Sequence, residues 1–305
     1  ITVTAGSIKL GQTGTLASSV SMSGGTLDAD NSLTLSGALT QGGNITIDVA
    51  EDKTLTYSGD EISLGAYTLT MSGGGRFSNT NHLDLNNASS KLLLSSITVD
   101  NVSTSLASLG LDVDDDSTVS SLTVGHTTPV SIASGRTLSG AITVTAGSIK
   151  LDEAGTLDAD VSMSGGTLDV DKTSTISGAL TQSGDIEIDV KAGETLTYSG
   201  AAVSLGAKTL TLKGGGTLGN TNALLLNDAS SKLLLNSITV GKVSTSLANS
   251  GLDVDDDSTV SSLTVAHTTP VSIASTKTLS GAITVTAGSI KLAEAGTLAS
   301  SVSMS

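Results

Sequence analysis

The feature that most constrains this chain is a long tandem repeat. The string ITVTAGSIKL begins at Ile1, at Ile142 and again at Ile283, which gives a period of 141. About 103 of the 141 aligned positions are identical between the first two copies. Repeat 1 therefore covers residues 1–141, repeat 2 covers 142–282, and residues 283–305 begin repeat 3. Ile1 matches Ile142, which lies in the middle of the segment TLSGAITVTAGSIKL, and the chain ends inside repeat 3, so we expect these 305 residues to be an excerpt of a longer array.

Each repeat divides further into seven segments of roughly 16 to 26 residues, and most of them open with Thr-Leu, Thr-Ile or Thr-Val. A mean of roughly 20 residues lies in the range for one coil of a repeat solenoid. For the second copy, the predicted segments start at Thr137, five residues before repeat 2, and then at Thr156, Thr175, Thr195, Thr217, Leu233 and Thr259.

Within a segment, apolar residues recur with a period of two, which is the period of a β-strand. In the string TLSGAITVTAGSIKL, Ile142 and Val144 are predicted to face inward, while Thr143 and Thr145 face outward. We find no apolar stripe of helical length; the segment from Val102 offers one loose turn at most. The predicted core residues of this coil are Leu138, Ile142, Val144, Ile149 and Leu151.

The pattern predicts an all-β parallel β-solenoid with about 20 residues per coil and seven coils per repeat. Aromatic residues are about 1% of the chain, so the core is expected to be thin and aliphatic. Glycine runs at 73–75 and 214–216 fit tight corners. A sandwich would need bulkier core residues, and a propeller blade would need about 40 to 50 residues. Roughly 15 coils spaced about 4.8 Å apart predict a rod of about 70 Å.

Composition excludes several functions. The chain has 29 acidic and 14 basic residues and no cysteine. The net charge of −15 argues against nucleic acid and anionic membranes as partners. The absence of cysteine excludes disulfides, zinc–thiolate sites and thiol catalysis. No stretch has the length and apolarity of a bilayer span.

Two acidic clusters are the candidate metal sites. Carboxylates at alternate positions can gather Ca²⁺, which takes six to eight oxygen ligands. The competing interpretation is a solvated corner loop, and the glycine-rich calcium-binding nonapeptide pattern is absent. The candidate ligands are Asp112, Asp114, Asp115 and Asp116, with Asp253, Asp255, Asp256 and Asp257 in repeat 2.

No residue is predicted to be catalytic or to bind a cofactor. A polysaccharide lyase needs paired carboxylates or a basic group in a cleft, and Arg76 and Arg136 become Thr217 and Lys277 in the next copy. The three histidines are assigned to turns or to the surface. Outward threonines at alternate positions suggest ice binding as an alternative, although Ser, Asp, Glu and Lys interrupt their array.

The segment TLSGAITVTAGSIKL, residues 137–151, resembles the autotransporter-associated β-strand repeat of bacterial surface proteins. The whole chain is similar, more loosely, to the repetitive regions of filamentous-haemagglutinin-like giant adhesins. The resemblance implies a right-handed parallel β-helix, secretion through an outer-membrane pore, and service as a stalk or fibre in adhesion, aggregation or biofilm.

We therefore expect a non-enzymatic structural repeat region of an extracellular protein on the bacterial cell surface. Its expected partners are further copies of the array, end to end or side by side, and surface polysaccharide or neighbouring cells. The alternatives are a polysaccharide- or ice-binding β-solenoid and, with less support, a polysaccharide lyase. We expect no cofactor, with calcium at the aspartate clusters as the exception.

Overall fold

A computed structural model describes residues 1–292 and 294–305. The described chain is all-β, contains no helix, and is built from parallel strands stacked as a β-solenoid of about 15 coils. It divides into two compact units, Ile1–Ala159 and Asp160–Ser305. Strand β21 begins in the first unit and ends in the second.

The strands are short and follow one another through Gly, Ser, Asn and Asp corners. Up to residue 159 they are β1 Thr2–Val3, β2 Ser7–Leu10, β3 Thr15–Leu16, β4 Val20–Met22, β5 Thr26–Ala29, β6 Leu33–Leu35, β7 Leu39–Gln41, β8 Ile45–Val49, β9 Thr54–Tyr57, β10 Ile62–Ser63, β11 Thr68–Ser72, β12 Arg76–Asn79, β13 Leu83–Leu85, β14 Lys91–Ser95, β15 Thr98–Thr104, β16 Gly110–Val113, β17 Ser117–Val124, β18 Thr128–Ile132, β19 Thr137–Val144, β20 Ser148–Leu151 and the start of β21 Thr156–Met163.

The second unit follows the same order of elements. Its strands after β21 are β22 Thr167–Val170, β23 Ser174–Ile176, β24 Leu180–Gln182, β25 Ile186–Val190, β26 Thr195–Tyr198, β27 Val203–Ser204, β28 Thr209–Lys213, β29 Thr217–Asn220, β30 Leu224–Leu226, β31 Lys232–Asn236, β32 Thr239–Thr245, β33 Gly251–Val254, β34 Ser258–Val265, β35 Thr269–Ile273, β36 Thr278–Val285, β37 Ile290–Leu292 and β38 Thr297–Met304.

Each coil contributes to three faces. Face a begins with strands such as β3 and β6, face b with β1, β4 and β7, and face c with β2, β5 and β8. In coils such as that of β19, one long strand bends at Gly140 and supplies both face a and face b. Every strand-to-strand pair described within a unit is parallel, so each coil is hydrogen-bonded to the next along the stack.

Successive face c strands start about 18 to 23 residues apart, which gives eight coils in the first unit and seven in the second. The predicted coil length and the seven coils per repeat are therefore confirmed. The predicted segment start at Leu233 is wrong. Leu233 lies in β31 on face c, between Leu210 and Leu252. The strand in register with Thr217 and Thr259 on face a begins at Thr239.

Alternating side chains fill the interior. Ile142 and Val144 are buried, while Thr143 and Thr145 are exposed. The segment after Val102 continues β15 and then forms a loop, so the single helical turn considered for it is absent. All five predicted core residues of this coil are at most 2% exposed: Leu138, Ile142, Val144, Ile149 and Leu151.

The core is not wholly aliphatic. Tyr57, Phe77 and Tyr198 are each at most 2% exposed, and the rings of Tyr57 and Phe77 stack with centroids 6.0 Å apart. The hydroxyl of Tyr57 accepts a hydrogen bond from Leu39 N at 3.1 Å, so the polar end of this ring is satisfied inside the stack. The expectation of a purely aliphatic interior is therefore wrong at these three positions.

Candidate functional site

The first aspartate cluster extends from face c into the corner between β16 and β17. Asp112 lies on face c and pairs with Lys91 of the preceding coil. Asp115 Oδ1 lies 2.7 Å from Arg136 Nη1. Asp116 Oδ1 accepts a hydrogen bond from the backbone N of Thr137 at 2.8 Å, one coil further on. These three carboxylates therefore join neighbouring coils instead of converging on one point.

The second cluster repeats this arrangement. Asp253 Oδ2 lies 2.5 Å from Lys232 Nζ, and Asp257 Oδ1 accepts a hydrogen bond from Thr278 N at 2.7 Å. Asp256 Oδ1 lies 2.6 Å from Lys277 Nζ. The hydrogen bond from Lys277 holds the pKa of Asp256 below its usual range, and the same bond raises the pKa of Lys277.

Within residues 1–292 and 294–305, no group of three or more His, Asp or Glu side chains is placed to hold a metal ion. The remaining members of the clusters, Asp114 and Asp255, are exposed at the corner. Calcium binding by these aspartates stays a prediction, and the described carboxylates have a structural use without it.

The histidines lie at exposed corners. The carbonyl oxygen of His126 accepts a hydrogen bond from Thr128 Oγ1 at 3.0 Å, and His267 repeats this contact with Thr269. His82 is also exposed. The backbone of the two repeated histidines thus closes a turn, and their imidazole rings face outward.

A shallow polar depression of about 290 Å³ lies on face a of the first unit. Its lining includes Glu51, Asp116 and the hydroxyls of Thr98, Thr118 and Ser139. Asp116 is already bound to Thr137 N. In repeat 2 the position of Glu51 is Ala192. The depression therefore presents hydroxyl groups, which repeat 2 keeps, and the Glu51 carboxylate, which repeat 2 lacks.

Outward threonines form a column on face a. In the second unit, Thr195, Thr217, Thr239 and Thr259 follow one another in register over four coils, and Ser280 comes next. The neighbouring column is irregular, because Thr197 is followed by Gly219. The threonine array is thus one residue wide over these coils, and ice binding stays a prediction.

Sequence reasoning missed a buried asparagine that joins two coils in each repeat. Asn79 is 2% exposed, and its Nδ2 donates to the carbonyl oxygens of Asn81 at 2.7 Å and Asn101 at 2.6 Å. Its Oδ1 accepts from Asp100 N and Asn101 N, both at 3.2 Å. Asn220 makes the equivalent four bonds in repeat 2. The available signal was an asparagine kept in both repeats although the three residues before it all change.

The other missed contacts are ion pairs between adjacent coils. They include Lys9 with Asp28 and Asp30, Arg76 with Asp100, and Lys213 with Glu187 and Asp189. In repeat 1 the position of Lys213 is Ser72, whose hydroxyl donates to Asp48 at 2.6 Å. A polar side-chain contact between these two coils is therefore kept, although a hydrogen bond in repeat 1 becomes an ion pair in repeat 2.

The fold and the contacts define the class of protein as a parallel β-solenoid whose polar residues mainly connect one coil to the next. Comparisons with protein-family models, with curated protein sequences and with solved structures found no match. Among the described residues, no helix has the length and apolar character needed to cross a membrane.

Proposed function

We propose that this chain is a non-enzymatic structural repeat region of a large extracellular protein on the bacterial cell surface. In this role it acts as a stiff rod, fibre or filament for adhesion, aggregation or the matrix of a biofilm or sheath. Its partners are further copies of the array, surface polysaccharide and neighbouring cells.

The observation that carries the proposal is that contacts between coils recur at the same positions of successive repeats. Asn79 and Asn220 make matching bonds, and Lys91–Asp112 is matched by Lys232–Asp253. Nine of the ten residues that line the polar depression are identical in repeat 2, and the exception, Glu51, becomes Ala192. Retention of the stacking contacts, together with loss of the Glu51 carboxylate from the depression, favours a spacer over a binding pocket.

Physical chemistry supports a mechanical role within each unit. Inward Leu, Ile, Val and Ala side chains form ladders whose burial contributes about 25 cal/mol per Å² of apolar surface. Backbone hydrogen bonds run from coil to coil on three faces, so a bend of the stack would strain one row of bonds. In a solenoid, each added coil adds one inter-strand spacing of about 4.8 Å.

The test compares the full chain with a variant that lacks residues 142–282. This deletion joins Ala141 to Ile283 and so keeps the Ala-Ile step that the chain has at residues 141 and 142. Electron microscopy should show particles about 70 Å long for the full chain and shorter by about 34 Å for the variant, with equal width. Equal lengths, or a change in width instead of length, would contradict a spacer.

Surface function is tested separately. The chain, displayed on a non-adherent bacterium, should increase cell aggregation or attachment, and the variant without residues 142–282 should do so less. Display of an unrelated acidic protein of similar size is the control for charge. Attachment that is unchanged by either form of the chain would remove the adhesion part of the proposal.

A further inference from the structure

Three asparagines of repeat 1 lie in the pattern N-x-S/T, and repeat 2 has none. They are Asn44, Asn87 and Asn101, with Thr46, Ser89 and Ser103 two positions later. In secreted proteins this pattern is the acceptor for an N-linked glycan, and it lies on an accessible part of the surface. The contacts of the three side chains differ in this respect.

Asn44 and Asn87 lie at corners between face b and face c of the first unit. Asn44 follows β7 and is exposed, and Asn87 follows β13 and is half-buried. Asn44 Oδ1 accepts a hydrogen bond from Thr68 N at 2.9 Å, and Asn87 Oδ1 accepts one from Ser89 N at 2.9 Å. No contact described between residues 1–292 and 294–305 involves the Nδ2 of either side chain. The fold therefore uses the oxygen of each amide and leaves the nitrogen to solvent.

Repeat 2 indicates that the fold needs only this oxygen. The equivalent residues are Asp185 and Asp228. Asp185 Oδ1 accepts a hydrogen bond from Thr209 N at 2.8 Å. Asp228 Oδ1 accepts one from Ser230 N at 2.9 Å. A carboxylate thus replaces the amide at both corners and keeps the same bond, so the amide nitrogen of repeat 1 is not required for stacking.

Asn101 differs because the fold uses both ends of its N-x-S/T pattern. Its Nδ2 donates to Asn79 O at 2.6 Å from within β15. The hydroxyl of Ser103 donates to Asp84 Oδ1 at 2.9 Å. A transferase that engages the asparagine nitrogen and the hydroxyl two positions later would have to open this strand first. In the folded chain, Asn101 is therefore an internal negative control.

The surface beside Asn87 has apolar groups that a glycan would cover. The backbone N of Leu109 is hydrogen-bonded to the corner of Asn87, which places the next corner directly against it. This next corner carries Leu106 and Leu109, which are 50% and 54% exposed. In repeat 2, which lacks the pattern, Leu106 is kept as Leu247 but Leu109 becomes Ser250. The exposed apolar surface is thus smaller in the copy without an acceptor.

We infer that Asn44 and Asn87 are acceptors for N-linked glycans and that Asn101 is not. In the transfer step, Nδ2 of the asparagine attacks C1 of a sugar that is activated as a glycosyl diphosphate. The N–C1 bond forms, the bond from C1 to the phosphate oxygen breaks, and the diphosphate leaves with that electron pair. The proton lost from Nδ2 goes to a base of the transferase. The inference goes beyond the proposed function and rests on it for the secreted location of the chain.

The first measurement is peptide mass spectrometry of the full chain isolated from the cell surface that carries it. Sugar should be attached at Asn44 and at Asn87, and Asn101 should be unmodified. A single sugar at each site would identify a nucleoside diphosphate sugar as the donor, and a preassembled oligosaccharide would identify a lipid-linked diphosphate. Absence of sugar at Asn44 or at Asn87 would overturn the inference for that position.

The second measurement uses the folded full chain, purified without sugar, with a soluble asparagine-directed transferase and a nucleoside diphosphate sugar. Synthetic peptides of the three patterns correct for the preference of the transferase. Relative to these peptides, Asn44 and Asn87 should be modified at least about tenfold faster than Asn101, because β15 must open before Asn101 can react. Equal corrected rates at the three positions would contradict the inference.

Substitutions between the repeats provide matched controls. Asn44→Asp and Asn87→Asp should remove the sugar without lowering the melting temperature, since repeat 2 has these residues. Asp228→Asn should create a new site, because it completes the pattern Asn-Ala-Ser, whereas Asp185→Asn should not, because a glutamate stands two positions later. Ser89→Ala should abolish modification of Asn87, and Ser89→Thr should retain it. Modification that ignores these differences would show that the pattern does not direct the transfer.

Failure of the proposed function is distinguishable from failure of this inference. It appears as a particle length that does not respond to deletion of residues 142–282. That deletion leaves Asn44 and Asn87 in place, so sugar at these two positions is measured independently of particle length.

Discussion

Arg76 and Asp100 pair across one coil-to-coil step, with Arg76 Nη2 2.7 Å from Asp100 Oδ1. Both members of this pair are replaced in repeat 2, by Thr217 and Gly241. Because Asp100 is replaced by Gly241, the loss of the arginine in repeat 2 leaves no unpaired carboxylate. Thr217 instead extends the threonine column of face a. At this contact, the two partners therefore change together between the repeats.

This pair should show coupling in a double-mutant cycle that converts repeat 1 to the residues of repeat 2. Arg76→Thr alone should lower the free energy of unfolding by up to about 1 kcal/mol, since half of the arginine side chain is exposed. In an Asp100→Gly background the same change should cost almost nothing. Denaturant unfolding should give a coupling of about 0.2–1 kcal/mol. Lys242→Thr is the control, because it removes an exposed lysine for which no ion pair is described, and it should show no coupling to Asp100→Gly. Zero coupling between Arg76→Thr and Asp100→Gly would contradict the contact.

Removal of the buried Asn79 side chain should lower the free energy of unfolding more than removal of the exposed Asn81 side chain. Asn79→Ala would leave two backbone N–H groups and two carbonyls without partners at a site that is 2% exposed. We expect a loss of about 2–4 kcal/mol in the free energy of unfolding. Asn81→Ala is the matched control, because that side chain is exposed and makes one bond, to Gly59 O at 2.8 Å.

Urea unfolding of the two asparagine variants gives the comparison directly. Asn79→Asp keeps an acceptor for Asp100 N and Asn101 N but sets a buried carboxylate oxygen against the carbonyl oxygens of Asn81 and Asn101, in place of the two donated bonds. Its stability at neutral pH should therefore be no higher than that of Asn79→Ala. Equal stability of the Asn79→Ala and Asn81→Ala variants would mean that the inter-coil bonds of Asn79 contribute little.

The bend of the long strand β19 requires glycine at position 140. Gly140 has φ of +125°, and a Cβ there would overlap the carbonyl oxygen of Val119. Gly140→Ala should therefore destabilise the chain by about 3 kcal/mol or more, since strain alone contributes about 1–3 kcal/mol. Gly135 also has a positive φ, of +76°, but its Cβ position is open.

Gly135→Thr is the control for the bend, since repeat 2 has Thr276 at this position with φ of +69°. We expect this substitution to change the melting temperature by only a few degrees, as about 1 kcal/mol does in a domain of this size. A similar loss in both variants would show that backbone strain, and not overlap with Val119, makes Gly140 necessary.

The coil count followed from the sequence because alternation and the long repeat period can be read directly along the chain. The misplaced start at Leu233 shows the limit of these signals. The strand KLLLN alternates as well as any strand of face a, and alternation does not say which face of the coil a strand occupies. That assignment depends on register with Thr217 and Thr259, which lie one coil away on either side of Thr239.

The inter-coil contacts were beyond sequence reasoning for a related reason. Partners such as Arg76 and Asp100 are separated by one coil, and the length of a coil varies along the chain. A charged residue therefore has several candidate partners at that separation. The acidic corner looked like a cation site because the sequence shows four close carboxylates, whereas the fold directs Asp112, Asp115 and Asp116 to different partners.

The buried tyrosines predict how stability changes at alkaline pH. Burial raises the pKa of Tyr57 and of Tyr198 above the ordinary value of about 10. Between the ordinary and the raised pKa, the folded chain binds more protons than the unfolded chain, so stability falls as pH rises. This contribution is fully present below about pH 10 and is lost as pH rises through the folded pKa.

A Tyr67→Phe variant isolates the two buried tyrosines, because the chain has only three. Their ionisation, followed by ultraviolet absorbance of the phenolate, should have its midpoint above about pH 10 and should coincide with loss of the β-sheet signal in circular dichroism. Adding Tyr57→Phe and Tyr198→Phe should reduce the alkaline decline in melting temperature. The decline that remains should come from Lys9, Lys213 and Lys277, whose pKa values are raised by the hydrogen bonds that they donate to Asp30, Glu187 and Asp256. Ionisation at or below the ordinary pKa, in a chain that stays folded, would contradict the burial of these rings.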